Sequence, residues 1–119
     1  MKYLCLIYDD ETMWATMPKA ESDAMMGEYF AFTEGIRESG QYLAGEALQP
    51  VSTATTVRVR NGKLSTTDGP FAETKEQLGG FYMIEARDLD EAIQVAAKIP
   101  SVRVGSVEVR PVVDFDQQS

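Results

Sequence analysis

The stretch TTVRVRNGKLSTTDGPFAETKEQLGGFYMIEA, residues 55–86, decides the fold. It opens with two short runs on either side of Asn61-Gly62, which suits a two-residue type I′ turn because both central residues need positive φ. That loop length sets Val59 opposite Leu64 and Val57 opposite Thr66, with Arg58 and Ser65 sharing the other face. Such a half-polar hairpin belongs at the periphery of a sheet. After Gly79-Gly80 the chain changes character. FYMIEA, residues 81–86, is apolar on both faces, as in a central strand covered on both sides.

Residues 2–8, KYLCLIY, show the same two-faced apolar pattern and predict a second central strand, ended by Asp9, Asp10 and Glu11. From about 19 to 39, Met25, Tyr29, Phe32 and Ile36 fall at helical spacing, with Met26 and Phe30 widening the stripe. Gly40 is a fitting stop. Residues 42–48 predict a short strand. Asp88 followed by Glu91 resembles a capping box. Leu89, Ala92, Ile93, Ala96 and Ile99 then mark the buried side of a helix that Pro100 ends. A last strand at about 105–112 alternates Val107 and Val109 with Glu108 and Arg110.

The order β-α-β, hairpin, β-α-β predicts an α+β fold: a ferredoxin-like α/β sandwich with an inserted β-hairpin, both helices on one face of an antiparallel sheet. With 119 residues, one domain is expected over 1–113, with 114–119 as a frayed tail. Two helices cover one face only, yet strands 2–8 and 81–86 are apolar on both. The uncovered face is larger than a soluble monomer leaves exposed. A homodimer packing sheet against sheet, a dimeric α+β barrel, is therefore expected.

Composition narrows the chemistry. The net charge of −8 would repel a phosphate backbone, so no direct nucleic-acid partner is expected. No run approaches the roughly 18 apolar residues of a membrane span, and MKYLCLIYDD lacks a small-residue cleavage site, so a cytoplasmic protein is expected. Histidine is absent, and with it the commonest general base and transition-metal ligand. The single Cys5 sits among apolar neighbours and reads as a small hydrophobe. No cofactor and no metal are expected. Asp9, Asp10 and Glu11 are read as solvated acids rather than as ligands of a hard cation such as Mg²⁺. Trp14, in the loop after the first strand, is read as packing at the rim of a dimer, with covering a pocket as the alternative.

Within the loop, Asp68 would ordinarily bond the amide two residues on, but Pro70 has none. Asp68 is left to cap Phe71 or face outward. Gly69, placed before proline, has positive φ open to it. Phe71 is a candidate anchor, and residues 72–77 are expected to make one helical turn. A stiff connector accounts for all of this. A functional loop would use the same stiffness to hold Asp68, with Glu73 or Lys75, at the mouth of a pocket. Arg58 and Arg110 are candidates for meeting a ligand carboxylate, or for pairing with Glu46 or Glu108.

The strings TDGPFAETKEQLGGFYMIEA, KYLCLIYDD, GEALQP…TATTVRVRNGK and GSVEVRPV resemble the YCII-related, DGPF-motif family of small bacterial proteins, over about residues 1–113. The resemblance implies a ferredoxin-like dimeric α+β barrel in a cytoplasmic bacterial protein. Its relatives are often encoded beside extracytoplasmic-type sigma factors. For the broader group it implies a catalytic His–Asp pair in a cleft. That pair does not carry over to a chain without histidine, and Val104 stands where relatives commonly carry one. By motif position, Asp68 is the candidate for the aspartate half.

Two functions follow. One is a dimeric small-ligand binding or regulatory protein, its pocket between sheet, hairpin and DGPF loop, with Gly69, Pro70, Phe71, Glu73, Lys75, Arg58 and Arg110 as candidate ligand contacts. The other is a cofactor-independent enzyme for proton transfer or elimination on a small anionic substrate. Asp68 would be its base and Arg58 or Arg110 its anion holder.

Overall fold

The computed structural model describes residues 1–117. Its strands are β1 (Lys2–Asp9), β2 (Tyr42–Ala47), β3 (Thr55–Arg60), β4 (Lys63–Asp68), β5 (Gln77–Glu85) and β6 (Ser106–Pro111); its helices are α1 (Glu11–Thr16), α2 (Lys19–Glu38) and α3 (Leu89–Ala96). Four strands form one antiparallel sheet in the order β2-β5-β1-β6. The two strands read as central are the inner pair. This is the ferredoxin-like arrangement, with α2 and α3 packed on one face.

Strand alternation builds the core. Tyr3, Cys5, Ile7 and Ile84 point to the helices and are buried against Phe32, Ile36, Ala92, Val95 and Ile99. Tyr82 lies edge-on to Phe32, with ring centroids 5.1 Å apart, and shares a 2.8 Å hydrogen bond with the Thr33 hydroxyl. On the opposite face, Leu4, Leu6, Tyr8, Leu78, Phe81 and Met83 are half-buried, and no helix among the described residues covers them.

Local chemistry sets the helix ends. At the end of α2, the Gln41 amide donates to Ile36 O at 2.9 Å and the Gly40 amide to Arg37 O at 3.1 Å, the two bonds of a Schellman stop. Asp88 caps α3 through the Glu91 amide at 2.9 Å. The Glu91 carboxylate reaches back to the Arg87 amide at 3.2 Å rather than to that of the cap residue, a variant of the expected box.

The structure corrects several expectations. The hairpin has the expected register, Val59 opposite Leu64 and Val57 opposite Thr66, but it forms a two-stranded sheet of its own. Residues 72–77 make no helical turn. Instead β5 begins at Gln77 and runs through Gly79-Gly80, with a register shift opposite Ile7 and Tyr8 absorbing one residue. Pairing to β1 on one side, and a 2.8 Å bond from the Leu48 amide to Gly79 O on the other, outweigh the conformational preference of the glycines. The short helix α1 was not expected; Asp10 starts it by accepting from the Thr12 amide at 2.9 Å and the Thr12 hydroxyl at 2.7 Å. In the expected tail, Phe115–Gln117 makes a 3-10 turn, and 118–119 lie outside the described residues.

Candidate functional site

A buried carboxylate, the base of the hairpin and the DGPF turn gather near the end of β1. Asp9 faces the helix side and is 5% exposed. Its Oδ2 accepts Trp14 Nε1–H at 2.9 Å and Ser101 Oγ–H at 3.0 Å. Ser101 has one proton and spends it on Asp9, so the Tyr29 hydroxyl, bonded to the same Oγ, is the donor of that pair. The chain of donors runs Tyr29, Ser101, Asp9. Burial raises the Tyr29 pKa, opposed by the bond to Ser101 and aided by the charge of Asp9, so the phenol keeps its proton. Gly105 makes the arrangement possible. A Cβ there would overlap the Tyr8 carbonyl and stand 2.9 Å from Asp9 Cβ.

Trp14, half-buried on α1, commits its indole N–H to Asp9. The acids after β1 are also committed. Asp10 caps α1, and Glu11 Oε2 accepts the Val51 amide at 2.9 Å. Bonding to Thr12 lowers the pKa of Asp10. No group of three metal-ligating side chains forms among the described residues.

On the other side of β1 lies a cavity of about 560 Å³. Tyr8 and Leu78 form its floor, the segment from Leu48 to Ala54 one wall, and Pro70, Phe71 and Ala72 the other. Gln49, Thr53, Thr74 and Gln77 add polar groups. Gln77 of the lining and Glu11 outside it fasten the walls. Gln77 Oε1 accepts the Glu11 amide at 3.0 Å while its Nε2 donates to Thr74 O at 2.6 Å. Glu11 in turn holds Val51. Among the described residues, Tyr8 is the only titratable side chain in the lining, so the cavity suits an uncharged, largely apolar guest.

The DGPF turn meets this cavity only in part. Gly69 has φ +114°, its amide donates to Ala54 O at 2.8 Å, and its carbonyl accepts the Thr56 hydroxyl at 2.9 Å. These bonds fasten the turn to the hairpin base. Pro70 and Phe71 line the cavity, but Phe71 is 83% exposed and is not sunk in a pocket as an anchor. Asp68 pairs with Thr55 at the end of β4, is exposed, and makes no hydrogen bond through its carboxylate among the described residues. Glu73 and Lys75 are exposed and lie outside the lining. Arg58 is on the hairpin, and Arg110 bonds Glu108 at 2.7 Å on the bare sheet face; neither reaches the cavity.

Sequence reasoning missed Asp9 and Ser101 as a unit. α3 ends at Ala96, before the Pro100 expected to stop it; a serine following that proline carries no local signal, and the bond joins residues 92 positions apart. The aspartate packed beside Gly105, the residue after Val104 in the chain, is Asp9. Asp68 belongs to the hairpin sheet. A second concavity, about 640 Å³, lies between α2 and α3 over Phe32, Ile36 and Val95, with the Glu28–Arg103 pair on its lining. It shares no residue with the DGPF turn.

Fold and site together define a ferredoxin-like α+β protein with a mostly apolar cavity beside its inserted hairpin. The chain belongs to the YCII-related domain family, whose model matches residues 1–116. An uncharacterised protein of Rhizobium meliloti (strain 1021) is 39% identical over 113 residues, 93% of this chain and 91% of the relative. Among solved structures, the chain is similar to the 5-chloro-2-hydroxyhydroquinone dehydrochlorinase of Burkholderia phenoliruptrix AC1100, in complex with 2,5-dihydroxybenzoquinone. The TM-score is 0.56 over the whole of both chains, at 14% identity. That likeness is one of fold. No helix among the described residues is long and apolar enough to cross a membrane.

Proposed function

We propose that this protein is a homodimeric binder of a small, uncharged organic molecule, held in the cavity between Tyr8, Leu78, the Leu48–Ala54 segment and the DGPF turn. One observation carries the reading: Pro70 and Phe71 wall a cavity of about 560 Å³ whose other lining is mostly apolar. That volume is typical of small-molecule sites, as is a mostly apolar lining with a few polar groups. Tyr8 OH, Thr53 and Gln49 supply the polar groups that orient a guest. Such a binder would serve a regulatory role beside an extracytoplasmic-type sigma factor. The dimer would form by the bare sheet faces, burying Leu4, Leu6, Phe81 and Met83 against their counterparts.

The ligand test is a titration with hydroquinone and a panel of simple phenols, all uncharged at neutral pH, followed by NMR of the side chains of Leu48, Val51 and Leu78. Saturable shifts confined to the lining, abolished by filling the cavity with Ala54→Trp, are expected. Shifts spread over the α2–α3 concavity, or none with any compound, would refute the proposed site.

The catalytic alternative uses Asp68 as base with Arg58 or Arg110 holding an anion. Its support is the fold shared with a dehydrochlorinase. Asp68 lacks the apolar enclosure through which a carboxylate becomes an effective base. Turnover of a halogenated phenol that Asp68→Asn abolishes without lowering the melting temperature would favour this alternative over binding.

A further inference from the structure

The β3–β4 hairpin is an arm standing off the body of the protein. The bonds at its base, from Gly69 to Ala54 and Thr56, close the hairpin on itself, and its strands pair only with each other among the described residues. The molecule accordingly has a radius of gyration of 16.5 Å, where a compact chain of this length has about 13–14 Å. An isolated two-stranded hairpin is marginally stable in water. This one also presents Val57, Val59 and Leu64 on a single face, 60%, 58% and 70% exposed. The other face carries Arg58, Arg60 and Lys63. The arm thus holds three of the chain's eleven cations and, in Asp68, one of its nineteen acids. It is net positive on a molecule of charge −8, so the body is strongly acidic.

We infer that the arm clasps a second copy of this chain, laying Val57, Val59 and Leu64 on the partner. The acidic body of the other copy is the complement that the charge segregation selects. A two-stranded ribbon is about as thin as the Debye length at physiological salt, roughly 8 Å, so cations on its outer face still feel that field. The clasp rests on the dimer proposed above and adds to it: the arm crosses from one protomer to the other. It also brings the arm's base, which walls the cavity through Ala54 and Pro70, under the control of the neighbouring copy.

Two measurements test the clasp. In the first, sedimentation at micromolar concentration compares the wild type with Val59→Asp/Leu64→Asp. The expected result is a wild-type dimer and a double variant whose association is weakened about a hundredfold or more, as for burying unpaired carboxylates. In the second, Leu64→Cys carries a photo-crosslinker. Native Cys5 is fully buried and does not compete for the label. A mixture of ¹⁴N and ¹⁵N chains is irradiated and mapped by mass spectrometry. Cross-links joining light to heavy chains support the clasp and do not depend on the double variant folding. A wild-type dimer whose cross-links stay within one chain, or whose association is unchanged in the double variant, overturns the clasp alone. A wild-type monomer overturns the clasp together with the dimer reading.

Discussion

Ser101 donates its hydroxyl proton to Asp9 at 3.0 Å, joining the turn after α3 to the end of β1 inside the protein. Both residues are buried, and the Tyr29 phenol stands behind Ser101 as donor. A buried carboxylate without a cation beside it depends on such neutral donors to offset its lost hydration. The triad therefore fixes α2 and the post-α3 turn against the sheet.

Removing the middle member should show this. Ser101→Ala leaves the half-buried Tyr29 donor and one Asp9 lone pair without partners, at a cost of about 1–3 kcal/mol. A fall of about 5–10 °C in the melting midpoint is expected for a domain of this size. Urea unfolding checks it. A variant as stable as the wild type would mean that water or a neighbour replaces the hydroxyl at no cost.

Two glycines should respond in opposite directions. At Gly105 a methyl group would overlap the Tyr8 carbonyl, a backbone atom that cannot swing aside. Gly105→Ala is expected to lose about 3 kcal/mol or more, through displacement of the Asp9 strand end. Gly27, on α2, has open space where a Cβ would stand, with nothing within 4 Å. Gly27→Ala should gain up to about 1 kcal/mol from helix propensity. Paired thermal melts distinguish the two, and equal effects would contradict the packing at Gly105.

Glu11 connects helix α1 to the cavity wall through the Val51 amide at 2.9 Å. Glu11→Ala should free that wall, removing a charge-assisted bond of about 1.5–3 kcal/mol in gross terms. The expected signature is faster amide hydrogen exchange at Val51 with the core amides of β1 and β5 unchanged. Affinity for a cavity ligand should fall alongside. Unchanged exchange at Val51 would show that the carboxylate does not hold this wall.

Burial pushes the Cys5 thiol up to about 11. The folded state therefore keeps the proton that the unfolded chain begins to release near pH 9. Stability from this group is fully present below pH 9 and declines as pH rises toward 11, by up to about 2–3 kcal/mol. Cys5→Ala should flatten that part of the stability–pH curve while lowering stability overall through lost packing. In native protein at pH 8 the thiol should not react with a disulfide reagent until urea is added.

Much of the fold was legible because short-range chemistry wrote it. Asn61-Gly62 set the hairpin register, the Met25–Ile36 spacing marked the buried side of α2, and the two-faced apolar strands announced the centre of the sheet. Turn geometry and side-chain period are properties of a few neighbouring residues. What stayed hidden was what each loop residue would meet. Asp9, read as a solvated acid, is instead buried under Trp14 and Ser101, whereas Asp68, nominated from its motif, faces solvent. The extension of β5 through Gly79-Gly80 likewise depended on the strands flanking it. By itself, then, the sequence determined the order of the six strands and the two longer helices, the hairpin register and the family. Only tertiary closure, bringing residues some 90 positions apart within hydrogen-bond range, decided which carboxylate is buried and where a cavity opens.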